Sequence, residues 1–203
     1  MHLALHKPAG VTSTVRDRHA ERTVVDLVPR EIAAAAGRLY PVGRLDQDSE
    51  GLLLLTNDGA WADQVLHPRH GVEREYAIGV AAPLSPDQRH ALSEGIALEE
   101  GSAVVEHLRP ATLVETRRLE GLLVPPPRRL VWYRGTLRQG WKRQLRRMFA
   151  AVGAPVERLV RVRIGTVRLD DLRSGCVREL SAADARRLAG LGTERDPREA
   201  GRG

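Results

Sequence analysis

A stretch of seventeen residues, Gly43 to Gly59, constrains the fold of this chain more than any other part of the sequence. It joins a polar turn to four consecutive leucines, Leu52 to Leu55, and then to a second turn at 57–59. A short apolar run that is closed by turn-forming residues predicts a strand buried on both faces. The acids ahead of it, Asp46 among them, are therefore expected at the edge of a core, where a catalytic carboxylate can be held rigidly.

Two plainer interpretations of this stretch stay open on its residues alone. Asp46, Asp48 and Glu50 have the spacing of a calcium-binding loop, but the twelfth position, which requires a bidentate Glu, is Asn57. The residues between are apolar, which does not suit a solvated ligand loop. Alternatively, the acids face solvent and the segment is only a structural turn.

The stretch closely resembles the catalytic signature of the RsuA, RluB and RluE type of pseudouridine synthases, which reads G-R-L-D-x-x-[ST]-x-G-L-L-L-L-T-N-D-G. In that family the aspartate after Arg-Leu is the essential catalytic residue, and it corresponds to Asp46. The resemblance implies that no metal and no organic cofactor takes part. We expect an α+β fold, a mixed and mostly antiparallel sheet with helices packed on it and a central active-site cleft. The resemblance further implies two fused α+β halves.

Positive charge is concentrated in one region of the chain. The formal net charge is +6, yet residues 128–168 contain twelve Arg or Lys and one acid, which gives +11 there and −5 elsewhere. A basic region on an otherwise acidic protein predicts a surface that binds a polyanion such as RNA. All but two of the basic residues are Arg, whose guanidinium suits bidentate contacts with phosphate.

Length and composition indicate a soluble globular protein with enough core to fold alone. No apolar run approaches the roughly 18 residues of a membrane span. The first residues also lack the order of charge and apolar core that marks a signal peptide. The single cysteine, Cys176, excludes an internal disulfide and suits a reducing cytoplasm, which is the predicted location.

Local patterns predict the other elements. Helices are expected where a capping residue precedes a helical pattern, at Thr23, Asp58, Ser85 and Ser181. Strands are expected in residues 2–5, 72–80, 130–133 and 160–169, and residues 101–114 are expected to alternate as strand with turns. Residues 119–129 contain three consecutive prolines, which cannot pair in a sheet, and are expected to form a loop.

Two residues near the N-terminal half of the chain gain a role from the resemblance. A lone tyrosine in a strand, such as Tyr76, most often packs in a core. The family places a tyrosine here that contacts the target base, and this favours a catalytic role for Tyr76. The turn at 7–10, Lys-Pro-Ala-Gly, is similar to a family element beside the active site, so Lys7 is a candidate support residue.

Residues 143–149, inside the basic region, form a second motif that resembles the family. Apolar residues at 145, 148, 149 and 152 fall on one face of a predicted helix. At ~100° per residue, Arg143 and Arg147 point away from that face, towards solvent or phosphate, and Arg146 lies on its flank. The motif resembles the family's R-Q-[VL]-R-R-M-[FL], which implies that Arg146 pairs with the catalytic Asp46. The family usually has Glu-Gly-Arg-Asn before it, whereas this chain has Gln-Gly-Trp-Lys at 139–142, with Lys142 as the candidate RNA contact.

The last basic motif is the alternation of apolar and basic residues in 160–169, which predicts a half-buried strand with an arginine-lined outer face. It resembles the family's R-V-R-I-G. Arg161 and Arg163, together with Arg44 of the signature, are candidate RNA contacts, and Ile164 is expected to pack on the target uracil.

Residues 1–190 are expected to form the catalytic domain, and 191–203 a flexible C-terminal tail. Most family members carry a small separate RNA-binding domain ahead of the Lys-Pro-x-Gly element. This chain starts six residues before that element, which predicts the RluE-like subgroup without the extra domain. A monomer is expected.

Together the motifs predict an enzyme that isomerises a specific uridine of ribosomal RNA to pseudouridine, with large-subunit 23S rRNA as the expected substrate. Two other classes stay open. An RNA-binding or assembly protein without activity would need neither Asp46 nor Tyr76. A hydrolase or transferase that uses Asp46 on a small substrate would not explain the basic region.

Overall fold

The computed structural model describes residues 1–15, 22–127 and 129–190, with the side chain of Pro68 excepted. The predicted tail at 191–203 and Arg128 of the basic region lie outside the described residues. The strands are β1 (His2–Lys7), β2 (Tyr40–Val42), β3 (Glu50–Thr56), β4 (Arg74–Val80), β5 (Ile96–Leu98), β6 (Gly101–Ala103), β7 (Glu106–Pro110), β8 (Val131–Leu137), β9 (Val156–Ile164), β10 (Val167–Arg168) and β11 (Val177–Glu179). The helices are α1 (Arg30–Ala36), α2 (Gly59–Leu66), α3 (Pro86–Glu94), α4 (Leu113–Glu120), α5 (Gln144–Ala151) and α6 (Ala182–Leu188), with short 3-10 turns at Val24–Leu27 and Pro68–His70.

One large sheet organises the protein, in the order β11-β1-β3-β9-β4-β8-β7, with β2 added beside β3 and β10 beside β9. Strands β3 and β9 pair in parallel, while the other pairs of this sheet are antiparallel. The parallel contact is short and joins Glu50 to Val160 and Gly51 to Arg161. The α+β fold with a mixed, mostly antiparallel sheet is therefore confirmed. The prediction of two fused halves stays a prediction.

Strand β3 is buried along its whole length, as the run of leucines predicts. Leu53 and Leu55 belong to the core on one face of the sheet, which also contains apolar residues of α1, α3 and α5. Leu52 and Leu54 belong to the core on the other face, with residues of α2, α4 and α6. Because successive side chains of a strand point to opposite faces, one run of four leucines supplies both cores.

The predicted capping residues begin the expected elements. Asp58 accepts a hydrogen bond from the Trp61 amide at the start of α2, and Ser85 and Ser181 cap α3 and α6 in the same way. Thr23 forms its capping box, but the element that it opens is the 3-10 turn, and α1 begins separately after Pro29.

Two predicted elements end differently in the structure. Residues 101–114 were expected to alternate as strand with turns, and β6 and β7 do so up to Pro110, but Thr112 and Glu115 then form a capping box that begins α4, and α4 continues to Glu120, inside the predicted loop. The predicted strand 160–169 instead starts at Val156, ends at Ile164, and turns back at Gly165 (φ +52°) to form β10. In both places a local hydrogen-bonding group or a glycine overrides the alternation of apolar residues.

Candidate active site

A cavity of about 580 Å³ opens beside the short parallel contact of β3 and β9. Its walls come from the turn before β3, from strands β4 and β9, from the end of β8, from α2 and from the segment that leads into α5. The polar and aromatic residues of the wall are Arg44, Asp46, Ser49, Arg74, Tyr76, Gln139, Trp141, Lys142, Arg143, Gln144 and Arg161. Its size is that of a small-ligand site.

Asp46 is half-buried on this wall. Its carbonyl accepts a hydrogen bond from the amide of Ser49 (3.0 Å), which closes the turn ahead of β3. Within the described residues, its carboxylate has neither a hydrogen bond nor an ion pair within 4.0 Å. The carboxylate is thus free to act on a molecule in the cavity.

The N-terminal segment holds the turn that carries Asp46. The Ser13 hydroxyl donates to the Leu45 carbonyl (2.8 Å) and accepts from the Leu45 amide (3.1 Å). Gly10 donates its amide to the Gln47 carbonyl (2.8 Å), and the Gln47 side chain donates back to the Gly10 carbonyl (3.2 Å). The residues on both sides of Asp46 are therefore fixed by backbone contacts.

Lys7 lies behind this turn and does not line the cavity. It is fully buried, and its Nζ donates to the carbonyls of Pro8 (2.8 Å) and Gln47 (3.2 Å). Burial lowers the pKa of Lys7 to about 8, against the nearby negative charges of Glu50, Asp48 and Asp46. The contacts tie Lys7 to the turn, in keeping with the support role expected for it.

Tyr76 and Ile164 both line the cavity, and both are mostly buried. The hydroxyl of Tyr76 has no hydrogen-bond partner in the part of the chain that the structure describes, and it is not enclosed. A phenol that is buried along its ring but free at its hydroxyl can contact a base by both its face and its oxygen. The structure thus brings Asp46, Tyr76 and Ile164 to one cavity.

A β-bulge decides where the two arginines of β9 point. Glu75 is opposite Arg163 and Tyr76 is opposite Arg161, so that Val162 has no direct partner. Directly opposite residues of a strand pair share a face, and an extra residue reverses the faces that follow it. The prediction that Arg161 and Arg163 share one solvent-facing side is therefore wrong.

Arg161 is buried, with 3% of its surface exposed, and lines the cavity. Its Nε donates to the Leu52 carbonyl (2.7 Å) and its Nη1 to the Arg44 carbonyl (3.3 Å). Its Nη2 is buried without a partner. In residues 1–15, 22–127 and 129–190 no carboxylate forms an ion pair with Arg161, so that its positive charge is available to the cavity.

The predicted pair of Arg146 with Asp46 is not present, which corrects that prediction. The Nε of Arg146 lies 3.3 Å from Asp48 Oδ2, and Nη2 donates to the Asp48 carbonyl (3.0 Å). Nη1 donates to the Val156 carbonyl (3.0 Å), and Arg146 does not line the cavity. The reason is that Asp46 points into the cavity, whereas Asp48 faces the start of α5. Burial lowers the pKa of Arg146, and the charge of Asp46 is only one of several that act on it.

Three other predicted RNA contacts are held by acids. Arg143 makes a bidentate pair with Asp48 (2.9 and 2.8 Å) and thereby lowers the pKa of that carboxyl group. Arg147 makes a bidentate pair with Glu100, and Arg163 binds Glu73 and Glu75. Of these three arginines, only Arg143 lines the cavity.

Arg44 and Lys142 line the cavity, are exposed, and have no acidic partner in the described ranges. The sequence interpretation missed a third cation on this wall, the half-buried Arg74, which among the described residues donates only to the Arg138 carbonyl (3.2 Å). Burial, and then the charge of Arg161, lower the pKa of Arg74. Its position two residues before Tyr76 in a strand could have revealed it, because residues i and i+2 share a face.

No cluster of three or more His, Cys, Asp or Glu side chains suited to a metal ion occurs among the described residues. None of the helices in that part of the chain is long and apolar enough to cross a membrane. Within the described residues, the cavity offers a carboxylate without a partner, a tyrosine, and a set of cations without acidic partners. Such a site suits an enzyme that acts on an anionic substrate.

Comparison with known proteins gives the class. The sequence matches the RNA pseudouridylate synthase family over residues 1–151. An uncharacterized RNA pseudouridine synthase of Mycobacterium leprae is 39% identical over 188 residues, which cover 93% of this chain and 68% of that protein. Ribosomal large subunit pseudouridine synthase B of Yersinia pestis is 35% identical, with 97% of this chain and 60% of that protein covered.

The fold agrees with this class. A crystal structure of a pseudouridylate synthase superimposes with a TM-score of 0.72 at 29% identity, over 92% of this chain and 73% of that one. A structure of an H/ACA RNP bound to a substrate RNA shares the fold alone, with a TM-score of 0.53 at 18% identity. The chain belongs to the RNA pseudouridylate synthase family, and it is an isomerase that acts on RNA.

Proposed function

We propose that this chain converts a specific uridine of ribosomal RNA, in the 23S rRNA of the large subunit, to pseudouridine. The observation that carries the proposal is the carboxylate of Asp46, which has no partner among the described residues and lies on a cavity wall that also presents Tyr76 and the charge of Arg161, equally without an acidic partner there. The choice of rRNA is supported by relatives that are named ribosomal large subunit pseudouridine synthase B.

The reaction breaks the N1–C1′ bond, rotates the uracil and rejoins it through C5. A stacked base cannot reach a carboxylate on the wall of a cavity, so the nucleotide is flipped out at a cost of a few kcal/mol. Asp46 acts at the ribose, either as the nucleophile at C1′ or as the base that begins glycal formation. Tyr76 contacts the uracil from one side, and Ile164 packs on it.

The unpaired cations of the wall bind the RNA backbone in this proposal. Arg44, Arg74 and Lys142 are available to phosphates without displacing an acid, whereas Arg143 must exchange Asp48 for phosphate. Phosphate contacts of this kind position the RNA without reading its sequence.

Lys7 supports the turn from behind through the Gln47 carbonyl. Arg146 acts through Asp48, not by direct contact with Asp46.

Several finer assignments belong to this proposal. They are the RluE-like subgroup, the monomeric state, the cytoplasmic location, the catalytic domain at 1–190 and the choice of 23S over 16S rRNA. Each rests on the sequence interpretation, and mapping pseudouridine in rRNA from a deletion strain identifies the target uridine.

The test is pseudouridine formation on unmodified rRNA by the wild-type protein and by Asp46→Asn. The amide has the size of the carboxylate but cannot act as a nucleophile or base, so we expect no product and less than about tenfold weaker RNA binding. Asp63→Asn is the matched control, because Asp63 is exposed on α2 outside the cavity. Turnover by Asp46→Asn at the wild-type rate would refute the assignment.

A further inference from the structure

The chain has three tryptophans, and one of them differs from the others. Trp61 and Trp132 are buried, with 6% and 3% of their surface exposed. Their indole N–H groups donate to the Ala185 carbonyl (2.8 Å) and to Glu120 Oε1 (3.0 Å). Trp141 is half-buried, and across the described residues its indole N–H has no acceptor. Since buried indole N–H groups usually find a partner, that of Trp141 faces solvent.

Trp141 is half-buried on the wall of the active-site cavity, whereas Tyr76 and Arg161 on the same wall are buried, and this difference places Trp141 towards the mouth. It lines the wall in the segment that leads into α5, and part of its ring packs against the core. Its Cη2 edge lies close to the β5–β6 hairpin, at 3.5 Å from the position that a Cβ on Gly101 would take. Its amide also approaches Gln144 Oε1 (3.3 Å). One edge of the ring is anchored, while the indole nitrogen stays accessible.

The neighbours of Trp141 are cationic. Lys142 and Arg143 follow it in the chain, are exposed, and line the same wall; Arg143 is paired with Asp48, which a phosphate would replace. The deeper wall is formed by the buried residues Tyr76 and Arg161. An aromatic ring beside two exposed cations is the combination by which proteins bind unpaired nucleotides, because the ring stacks on a base and the cations bind its phosphates.

We propose that Trp141 stacks on an unpaired base of the substrate RNA, next to the uridine in the cavity. This inference rests on the proposed function. When the target uridine leaves the RNA stack for the deep part of the cavity, its neighbour loses a stacking partner at the mouth. Trp141 replaces that partner. From the usual strength of base–aromatic stacking, its loss should weaken RNA binding by about five- to 150-fold.

Intrinsic fluorescence tests the stacking directly, since Trp141 is the tryptophan of the three that solvent reaches. Poly(U) and poly(A) should quench the emission of the wild-type protein. Polyphosphate, which has the charge but no bases, should not. The quenching should disappear in Trp141→Phe. Equal quenching by polyphosphate, or quenching that persists in Trp141→Phe, would overturn the proposal.

Catalysis gives a second measurement that separates stacking from packing. Trp141→Leu keeps an apolar side chain but has no ring, whereas Trp141→Phe keeps a ring. We expect KM for unmodified rRNA to rise more than kcat falls in Trp141→Leu, and Trp141→Phe to recover most of the loss. A KM in Trp141→Leu equal to that of the wild type would overturn stacking. Stacking would also be overturned if both variants lost the same activity and melted at lower temperatures than the wild type. That result would show that the ring of Trp141 serves packing.

The two proposals can fail separately. If the wild-type protein makes no pseudouridine, the proposed function fails, and the polynucleotide titration still decides whether Trp141 stacks. If the wild type is active but Trp141→Leu binds RNA as the wild type does, only the stacking inference fails.

Discussion

Replacement of Gly51 by alanine should force strands β3 and β9 apart at the contact that supports the active site. Gly51 is the second residue of β3, where β3 meets β9 in parallel, and its φ is +103°. A Cβ at this position would lie 2.3 Å from the Arg161 carbonyl oxygen and 2.6 Å from the Arg161 amide nitrogen. The obstacle is backbone, which cannot rotate away as a flexible side chain can. The two strands must therefore move apart.

The cost has two parts. A positive φ costs a non-glycine residue about 1–2 kcal/mol, and forcing an extra methyl group into a packed core costs about 1–3 kcal/mol more. Gly153 provides a matched control, because it has a positive φ (+74°) and nothing within 4 Å of its Cβ position. Gly153→Ala should therefore show only the first cost. Each Gly→Ala change also lowers the conformational entropy of the unfolded chain, which stabilises the protein by about 0.4–1 kcal/mol. This gain is the same in both variants and cancels in the comparison.

Thermal and urea unfolding of the two variants measure the difference. For a chain of this size, 1 kcal/mol corresponds to about 2–4 °C, so Gly51→Ala should melt roughly 2–12 °C below Gly153→Ala. Pseudouridine formation below the melting temperature should also fall in Gly51→Ala, because Arg161 and the turn that carries Asp46 meet at this contact. If both variants lose the same stability, the close approach of β3 and β9 is not what requires glycine.

Three other perturbations have defined outcomes. Asp48→Asn should strengthen non-specific RNA binding and make its salt dependence steeper by about one counterion, because it releases Arg143; weaker binding in salt titrations would contradict this. Tyr76→Phe should lower the rate of isomerisation without changing the melting temperature, because the hydroxyl has no partner in the described part of the protein. The pKa of Lys7, about 8 when folded, is below its value in the unfolded chain. Between about pH 8 and 10.5 the unfolded state therefore binds more protons, and the free energy of unfolding should rise with pH by up to about 3 kcal/mol. Lys7→Met should lack this rise in urea unfolding, and an unchanged pH slope would show that Lys7 is not desolvated.

The local order of residues was enough to predict the parts of the structure that depend on near neighbours in the chain. Leu52 to Leu55 specified a doubly buried strand, because four apolar residues in a row must cover both faces of a sheet. Asp58 and Ser85 specified helix starts, because a cap binds amides only three residues away. Asp46 was found by its place in a signature, and the structure puts it on the cavity wall.

Contacts between distant segments could not be predicted in this way. The partner of Arg146 was wrong because Asp46 and Asp48 are two residues apart, and only the approach of α5 to the turn determines which carboxylate faces it. The bulge at Val162 could not be predicted from the sequence, because it depends on the register between β4 and β9.

The sequence by itself determined the class of fold, the buried central strand and the candidate carboxylate Asp46, because each is recognised from residues that are close in the chain. The tertiary structure decided which cations line the cavity and which of them are paired with acids. Arg161 and Arg163 are the same residue type and two positions apart, but the β-bulge between them turns their side chains in different directions. Arg161 lines the cavity, whereas Arg163 pairs with Glu73 and Glu75. The physical reason is that the availability of a charge depends on the acids that the fold brings to it from elsewhere in the chain.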